Sequence, residues 1–395
     1  GSDNRNERRD RGDGRYRARH SGSAGTGKTF VSAHAIMDLV AAGKRIAVAS
    51  HSHKAIGNLL RGCADRAQEL GLRPRIVHKG GDEDEVAAGH GLITLTDDND
   101  APEIRTAAIV GGTAWLFARI EDPIFDYLVV DEAGQVALAN IVAMGRATRN
   151  IVLVGDPMQL SQPTKGDHPG DSGMSALAYL LGGARIVSAD RGIFMPVSRR
   201  MHPEVCRFIS RAVYEGQLDS HPSAGLQSLL VDGAESCGAR FEPVEHEGCS
   251  QHCPEEIDAI RRAIDRLKGS LYRDREGRER TIGDADFLVV APYNAQVNAL
   301  RLALPGIRVG TVDKFQGQEA PICLISMTTS SVEEMPRDMS FLFSLNRINV
   351  AVSRAQAHAV LFASPRLLEV PCRTVEDMTL ANTLCLLAEM GGDSF

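Results

Sequence analysis

Short, almost continuously apolar runs recur along this chain and alternate with stretches whose apolar positions fall three or four residues apart. RIAVAS (45–50), YLVVDE (127–132) and IVLVGD (151–156) are of the first kind. A run with no polar face predicts a strand covered on both sides. Between them, Phe30, Ala33, Met37, Val40 and Ala41 repeat at helical spacing, and Gly43 is placed to end that helix. Strands alternating with helices predict a parallel α/β sheet. A second series follows: DFLVVA (286–291), IRVGTV (307–312), ICLISM (322–327) and AVLFAS (359–364). It repeats the architecture without repeating the sequence, which predicts two similar α/β domains rather than a solenoid. The polar, Pro-containing SADRGIFMPVSRR (188–200) marks the boundary, so residues 21–195 and 196–395 are the expected domains. Residues 79–105 are acidic and read as a small insertion in the first domain, and 273–280 as an exposed charged loop.

Composition narrows the class. A chain of 395 residues with 43% hydrophobic content can bury two or three cores. With 38 Gly and 17 Pro it is neither collagen-like nor low-complexity. No apolar stretch approaches the ~18–20 residues of a bilayer span, and no signal peptide is visible, so no membrane partner is expected. Eight irregularly spaced cysteines do not form a disulfide framework, and a reducing, cytoplasmic compartment is expected. A net charge of −7 cannot by itself argue for nucleic-acid binding. Residues 1–20 depart from it: seven arginines against four acids without periodicity read as a disordered basic arm or linker. A start on Gly-Ser rather than Met is expected of a tag remnant or a fragment.

The strongest chemical signal is GSAGTGKT, Gly22 to Thr29, which fits G-x-x-x-x-G-K-[ST] and opens directly into the predicted helix. Glycines at Gly22, Gly25 and Gly27 let backbone N–H groups, with that of Thr26, wrap an anion, and the helix N-terminus adds positive potential. Lys28 suits the β and γ phosphates of a nucleoside triphosphate, and Thr29 suits Mg²⁺. In YLVVDEAGQ a buried strand delivers Asp131 and Glu132 at its carboxyl end, where ligands of such sheets bind. Asp131 is suited to hold Mg²⁺, and Glu132 to take a proton from the attacking water. One strand later, IVLVGDPMQL offers Gln159, whose neutral amide is suited to sense the γ phosphate or to orient water.

These blocks, together with RRMHPEVCRFIS, VYEGQL, APYNAQ, VGTVDKFQGQEA and LNRINVAVSRA, resemble in order and spacing the superfamily 1B helicases of the nonsense-mediated-decay and replicative nuclease-helicase types. SHSHKAIGNLL, VGGTAWLF and PVEHEG are similar to the helicase half of prokaryotic proteins that fuse it to a RecB-like nuclease. The resemblance covers roughly residues 21–390. It implies two tandem RecA-like domains with parallel sheets and an ATP cleft between them, ATP and Mg²⁺ as cofactors, and ATP-driven 5′ to 3′ translocation on single-stranded DNA or RNA, DNA being favoured. It also implies a monomer and a RecB-like nuclease domain or subunit as partner. Arg200 and Arg354 match the family's arginines that meet the γ phosphate, Glu319 the position at the ribose, and Tyr293 and Gln296 a block near the nucleotide. For the nucleic-acid track the resemblance points to Ser50, Ser52, His53, Thr113 and Thr311. Small polar groups of this kind predict binding with little sequence preference.

Departures from the family qualify this picture. RYRARHS, ahead of the phosphate loop, makes a poor central strand, so either the sheet is expected to lack that strand or the chain to be truncated or altered at its start. Arg199 stands where relatives carry an aromatic. No nuclease segment with clustered acidic metal ligands is present. Trp115, the one tryptophan, is expected in the core rather than stacked on a base. Cys237, Cys249, His252 and Cys253, with His246 nearby, offer zinc-type ligands, but without paired C-x-x-C knuckles ordinary reduced thiols on loops are expected. A nucleic-acid-stimulated ATPase clamp and a catalytically impaired binding module are the alternative functions.

Overall fold

The computed structural model describes residues 19–21, 25–84, 89–160, 166, 168–315 and 317–391. Two compact units account for them. The first runs to Met195, apart from residues 25–26 and 158–160, which group with the second unit, Pro196 onward. Gly22 and most of the N-terminal arm lie outside the described residues.

The first unit is an eight-stranded sheet. Its strands are β1 (Arg19–Ser21), β2 (Ile46–Ala49), β3 (Ile76–Lys79), β4 (Ile93–Thr96), β5 (Ile109–Gly112), β6 (Phe125–Val130), β7 (Thr148–Gly155) and β8 (Ile193–Phe194). Their order is β4-β3-β5-β2-β6-β7-β1-β8, and among the described residues every pairing is parallel. Burial on both faces explains the unbroken apolar runs. Ile46, Val48, Tyr127 and Val129 pack against Ile36 and Met37 of helix α1 (Lys28–Ala41) and Ile56 and Leu60 of helix α2 (His53–Glu69). The alternate residues Ala47, Ala49, Leu128 and Val130 face Phe117, Met144 and Leu177 on the other side. α1 ends as its residues predict: Gly43 takes φ +78°, and the Lys44 N–H returns to the Leu39 carbonyl.

Two expectations change here. The sheet does contain the strand before the phosphate loop: β1 is only three residues long, yet it pairs with β7 from Arg19↔Leu153 to Ser21↔Gly155 and with β8 on its other side. Neighbouring backbone, not side-chain propensity, supplies its hydrogen bonds. The acidic segment 79–105 also contributes β4 to the main sheet, through Ile93↔Ile76 to Thr96↔Lys79.

The second unit holds three sheets. β9 (Val197–Ser198) and β10 (Asp219–Ser220) form a short pair. β11 (Ser228–Val231), β12 (Ala234–Ser236), β14 (Leu271–Arg273) and β15 (Glu279–Thr281) make an antiparallel sheet, order β12-β11-β14-β15. β13 (Gly238–Pro243), β16 (Phe287–Val290), β17 (Arg308–Gly310), β18 (Ala320–Ser326) and β19 (Ala355–Ala363) form the central parallel sheet, order β13-β19-β18-β16-β17. Phe287, Val289, Ile322, Leu324, Val360 and Phe362 pack there against Ile260, Ile264 and Leu267 of the helix Pro254–Leu267 and against Val297 and Leu300 of the helix Asn294–Ala303. The mixed α/β class with parallel sheets is therefore that of the sequence.

His358, in the middle of β19, is fully buried. Burial, and then the Arg240 charge, push its imidazole down to about 3 from the usual 6.5. Unfolding must then take up a proton whenever the pH lies between these values, so stability is complete above about 6.5 and falls below it by about 1.4 kcal/mol per pH unit. Urea unfolding at pH 7.5 and 5.5 should show this loss in the wild type and a smaller loss in His358→Leu.

Candidate functional site

Three adjacent strands, β6, β7 and β1, bring the phosphate-loop residues and the acidic pair to one end of the first sheet. After β1 the chain turns through Gly25 and Gly27, with φ +82° and +79°, conformations that a Cβ disfavours. Gly27 is the N-cap of α1, and the helix begins at Lys28 with Thr29 next. No acidic residue occupies its first turn, so the helix N-terminus and the Lys28 charge add to the positive potential at this end of the sheet. Thr26 is buried, and Lys28 and Thr29 are half-buried.

β6 ends at Val130, and its next residue, Asp131, is 6% exposed. The Asp131 N–H donates to the Ala49 carbonyl at 2.8 Å, while its Oδ1 accepts from the Glu132 N–H at 2.9 Å. Burial, followed by the neighbouring Glu132 charge, raises the Asp131 carboxyl to about 6, with Lys28 and His51 acting in the opposite sense. A buried carboxylate whose ionisation is opposed in this way suits a cation better than empty space. Glu132 sits at φ +52°, an uncommon conformation for a non-glycine residue. His51 Nδ1 lies 3.0 Å from Glu132 Oε2. His51 was not singled out from the sequence; the signal for it lies in the register, since Ala49 at the end of β2 pairs with Val130 at the end of β6. Asp156, just after β7, is buried, and Gln159 is half-buried in the turn that follows.

The next two strand ends, β2 and β5, carry the residues expected on the nucleic-acid track in this unit. Ser50 is buried and its hydroxyl has no hydrogen-bond partner among the described residues. Ser52 caps α2, accepting from the Ala55 N–H at 3.2 Å. His53, the first residue of α2, has Nδ1 3.4 Å from His78 Nε2. Thr113 follows β5 as N-cap of the short helix Ala114–Phe117. Trp115 overturns the core expectation: it is 83% exposed. Leu116 and Phe117 turn inward instead, at 2% and 0%, and one turn of helix cannot bury three consecutive large residues on one side.

In the second unit, Arg200, Glu319 and the Ser353–Arg354 turn come together. The Arg200 guanidinium pairs with Glu319 through Nε and donates through Nη1 to the Ser353 carbonyl at 3.2 Å. Gln356 Nε2 donates to the other Glu319 oxygen at 2.9 Å. Burial alone would raise the Glu319 carboxyl, but the Arg200 charge overrides it and holds it below the ordinary value. Arg354 is 2% exposed, with Nε and Nη1 on the Val350 and Gln318 carbonyls at 3.0 and 3.1 Å. Arg199 is exposed.

Tyr293 and Thr311 line a cavity of about 430 Å³ with Gln251, Arg337, Phe341 and Arg347. Both guanidinium groups lie over the Phe341 ring, at 4.4 and 4.3 Å from its centroid, and the Tyr293 ring stacks on it at 5.7 Å. Flat rings beside permanent cations are what single-stranded nucleic acids stack on and pair with. Neither Arg337 nor Phe341 belongs to a motif singled out above, and only their folding onto Tyr293 reveals them. Gln296 is fully buried and does not reach this cavity wall. Its amide brackets Cys253, accepting from the N–H at 2.9 Å and donating to the carbonyl at 3.1 Å.

Comparison with known proteins gives two family-model matches, each described as an AAA domain, over residues 13–173 and 184–366. DNA-binding protein SMUBP-2 of Rattus norvegicus is 30% identical over 262 residues, covering 60% of this chain and 24% of that protein. DNA replication ATP-dependent helicase/nuclease dna2 of Schizosaccharomyces pombe is 25% identical over 371 residues, covering 87% and 26%. Over these segments the chain is similar to a DNA-binding protein and to an ATP-dependent helicase/nuclease. A solved structure, the arterivirus nonstructural protein 10 helicase, aligns with a TM-score of 0.47 at 14% identity, over 91% of this chain and 61% of that one. The chain spans about a quarter of the length of these two relatives. Among its described residues no helix is long and apolar enough to cross a membrane. All eight cysteines are free.

Proposed function

We propose that the chain is an ATP-dependent single-strand nucleic-acid translocase and helicase, acting on DNA with 5′ to 3′ polarity. The observation that carries this reading is the convergence of Lys28, Thr29, Asp131, Glu132 and His51 on one end of the first sheet. Lys28 and the N–H groups of the loop would bind the triphosphate, and Thr29 and the buried Asp131 would hold Mg²⁺, for which their oxygens fit. Bound there, the cation supplies charge neutralisation to the phosphates. Glu132 takes the proton of the attacking water, with His51 fixing the carboxylate's direction. Gln159 orients that water, and Arg200 and Arg354 act as guanidinium donors during turnover, with Glu319 at the ribose. Ser50, Ser52, His53, Thr113 and Trp115 in one unit and Tyr293, Thr311, Arg337, Phe341 and Arg347 in the other are the proposed strand contacts, by stacking and by hydrogen bonds to phosphate and sugar. We propose in addition a monomer that works with a RecB-like nuclease, which rests on the motif resemblance, in a cytoplasmic compartment, which rests on the sparse, irregularly spaced cysteines.

Phosphate release with single-stranded DNA, single-stranded RNA or neither, run beside displacement of a labelled strand from 5′- and 3′-tailed duplexes, tests this. Stimulation by DNA with separation of 5′-tailed duplexes is expected. Trp115→Ala should weaken single-strand binding by about 1–3 kcal/mol without altering unstimulated turnover. Stimulation without displacement would favour the ATPase clamp, and nucleotide binding with no phosphate release would favour a binding module; either overturns the helicase reading.

A further inference from the structure

The loop between β13 and the helix Pro254–Leu267 reads H-x-x-C-x-x-x-C-P-E-E, from His246 to Glu256. It is irregular, yet its sulfur and nitrogen groups are interior. His246, Cys249 and Cys253 are 6%, 8% and 0% exposed, and their potential ligand atoms all lie within 4.8 Å of one another. Glu255 joins them from the solvent side, with Oε2 3.7 Å from Cys249 Sγ and 3.4 Å from Cys253 Sγ. For Zn–S of about 2.3 Å and Zn–O of about 2.0 Å, the sulfur-to-oxygen edge of a tetrahedron is about 3.5 Å. Both separations match that edge. Two other members of the expected thiol and imidazole set are not part of this group: among the described residues the grouping omits Cys237, and His252 is exposed.

The surroundings are built as a metal centre requires. His246 Nε2 is 3.2 Å from Oε1 of Glu256, a carboxylate with no exposure whose other oxygen accepts from the Ser326 hydroxyl and from the Thr328 N–H at 2.9 Å. A buried carboxylate behind an imidazole fixes its tautomer and turns the other nitrogen into a ligand. That nitrogen, Nδ1, now lies 2.7 Å from the Ser330 hydroxyl, which also accepts the Cys249 N–H at 3.0 Å and so keeps a partner if the ring changes hands. Backbone anchors hold the two cysteines: the Ser330 N–H donates to the Cys249 carbonyl at 2.9 Å, and the Gln296 amide clamps Cys253. Between the cysteines the loop presents Gln251 to the cavity that holds Tyr293, Thr311 and Phe341.

We propose that Cys249, Cys253, His246 Nδ1 and Glu255 form a closed, four-coordinate zinc site that staples this loop to the second unit and fixes one wall of that cavity. Binding releases two protons: each thiol gives up its hydrogen to solvent as its sulfur bonds to the ion, and the imidazole enters neutral with its remaining N–H on Glu256.

The reduced full chain, equilibrated with Zn²⁺ and desalted, should carry one zinc per molecule by elemental analysis. Replacement by Co²⁺ should give thiolate-to-metal charge-transfer absorption and the strong visible bands of a tetrahedral ion. Cys249→Ser with Cys253→Ser should abolish both, Cys237→Ser should change neither, and Glu256→Gln should weaken zinc affinity about 10–100-fold. Equal zinc content in wild type and the double variant, or a cobalt spectrum with no sulfur band, would overturn the site. Should the double variant fail to fold, the cobalt spectrum of the wild type still decides. Loss of two thiols to a disulfide in air, with no zinc taken up after reduction, also counts against it.

Discussion

Glu132→Gln is expected to lower nucleic-acid-stimulated phosphate release by about 10²–10⁴-fold, the range by which a positioned general base accelerates proton transfer. Nucleotide binding should survive, because the proposed phosphate cradle, Gly25, Gly27, Lys28 and Thr29 at the start of α1, is not touched by the change. The amide is isosteric and keeps an oxygen toward His51, so the pair now separated by 3.0 Å retains a hydrogen bond while losing its basicity. Single-turnover phosphate release beside binding of a fluorescent nucleotide analogue separates the two effects. Turnover within threefold of wild type would remove Glu132 from the chemistry. Lost binding would mean that the turn after β6 had moved.

Gly134→Val should be the most damaging single change to the first unit, although Gly134 makes no polar contact with the proposed ligands. A Cβ placed there would lie 2.6 Å from the Asp156 carbonyl oxygen, where the turn after β6 crosses the end of β7. Backbone cannot swing aside as the tip of a side chain can. Overpacking of this kind costs on the order of 2–3 kcal/mol, a fall of about 5–10 °C in Tm for a domain of this size. It should also separate Asp131 and Glu132 from the strand ends that align them. Gly145→Ala is the control: its added Cβ would find only Ile151 Cδ1, at an ordinary 3.6 Å. It should leave the melting temperature level or slightly higher. Calorimetry on both variants, with phosphate release on the same preparations, reads the contrast.

Much of this was legible in one dimension because the deciding physics is local or periodic. Apolar runs such as LVV before Asp131 and IVLV before Gly155 can be covered on both faces only inside a parallel sheet. The phosphate loop declares itself because glycines, a lysine and a hydroxyl must stand at set intervals ahead of a helix. β1 was harder to see, since an Arg-His-Ser strand has little propensity of its own and takes its hydrogen bonds from β7 and β8.

What the chain alone determined is thus the alternation of strands and helices, the phosphate loop, and the acids at a strand's end, since each follows from spacing along the backbone. Only the tertiary structure decided which side chains meet across that spacing. It brought His51 to Glu132 through the β2–β6 register. It turned Trp115 to solvent once Leu116 and Phe117 had taken the interior. It laid Arg337 and Arg347 over Phe341, and it gathered His246, Cys249 and Cys253 in one buried group. These meetings depend on register, on the competition for interior space and on contacts between distant segments, all of which are set by the packing of the whole unit rather than by any short stretch of sequence.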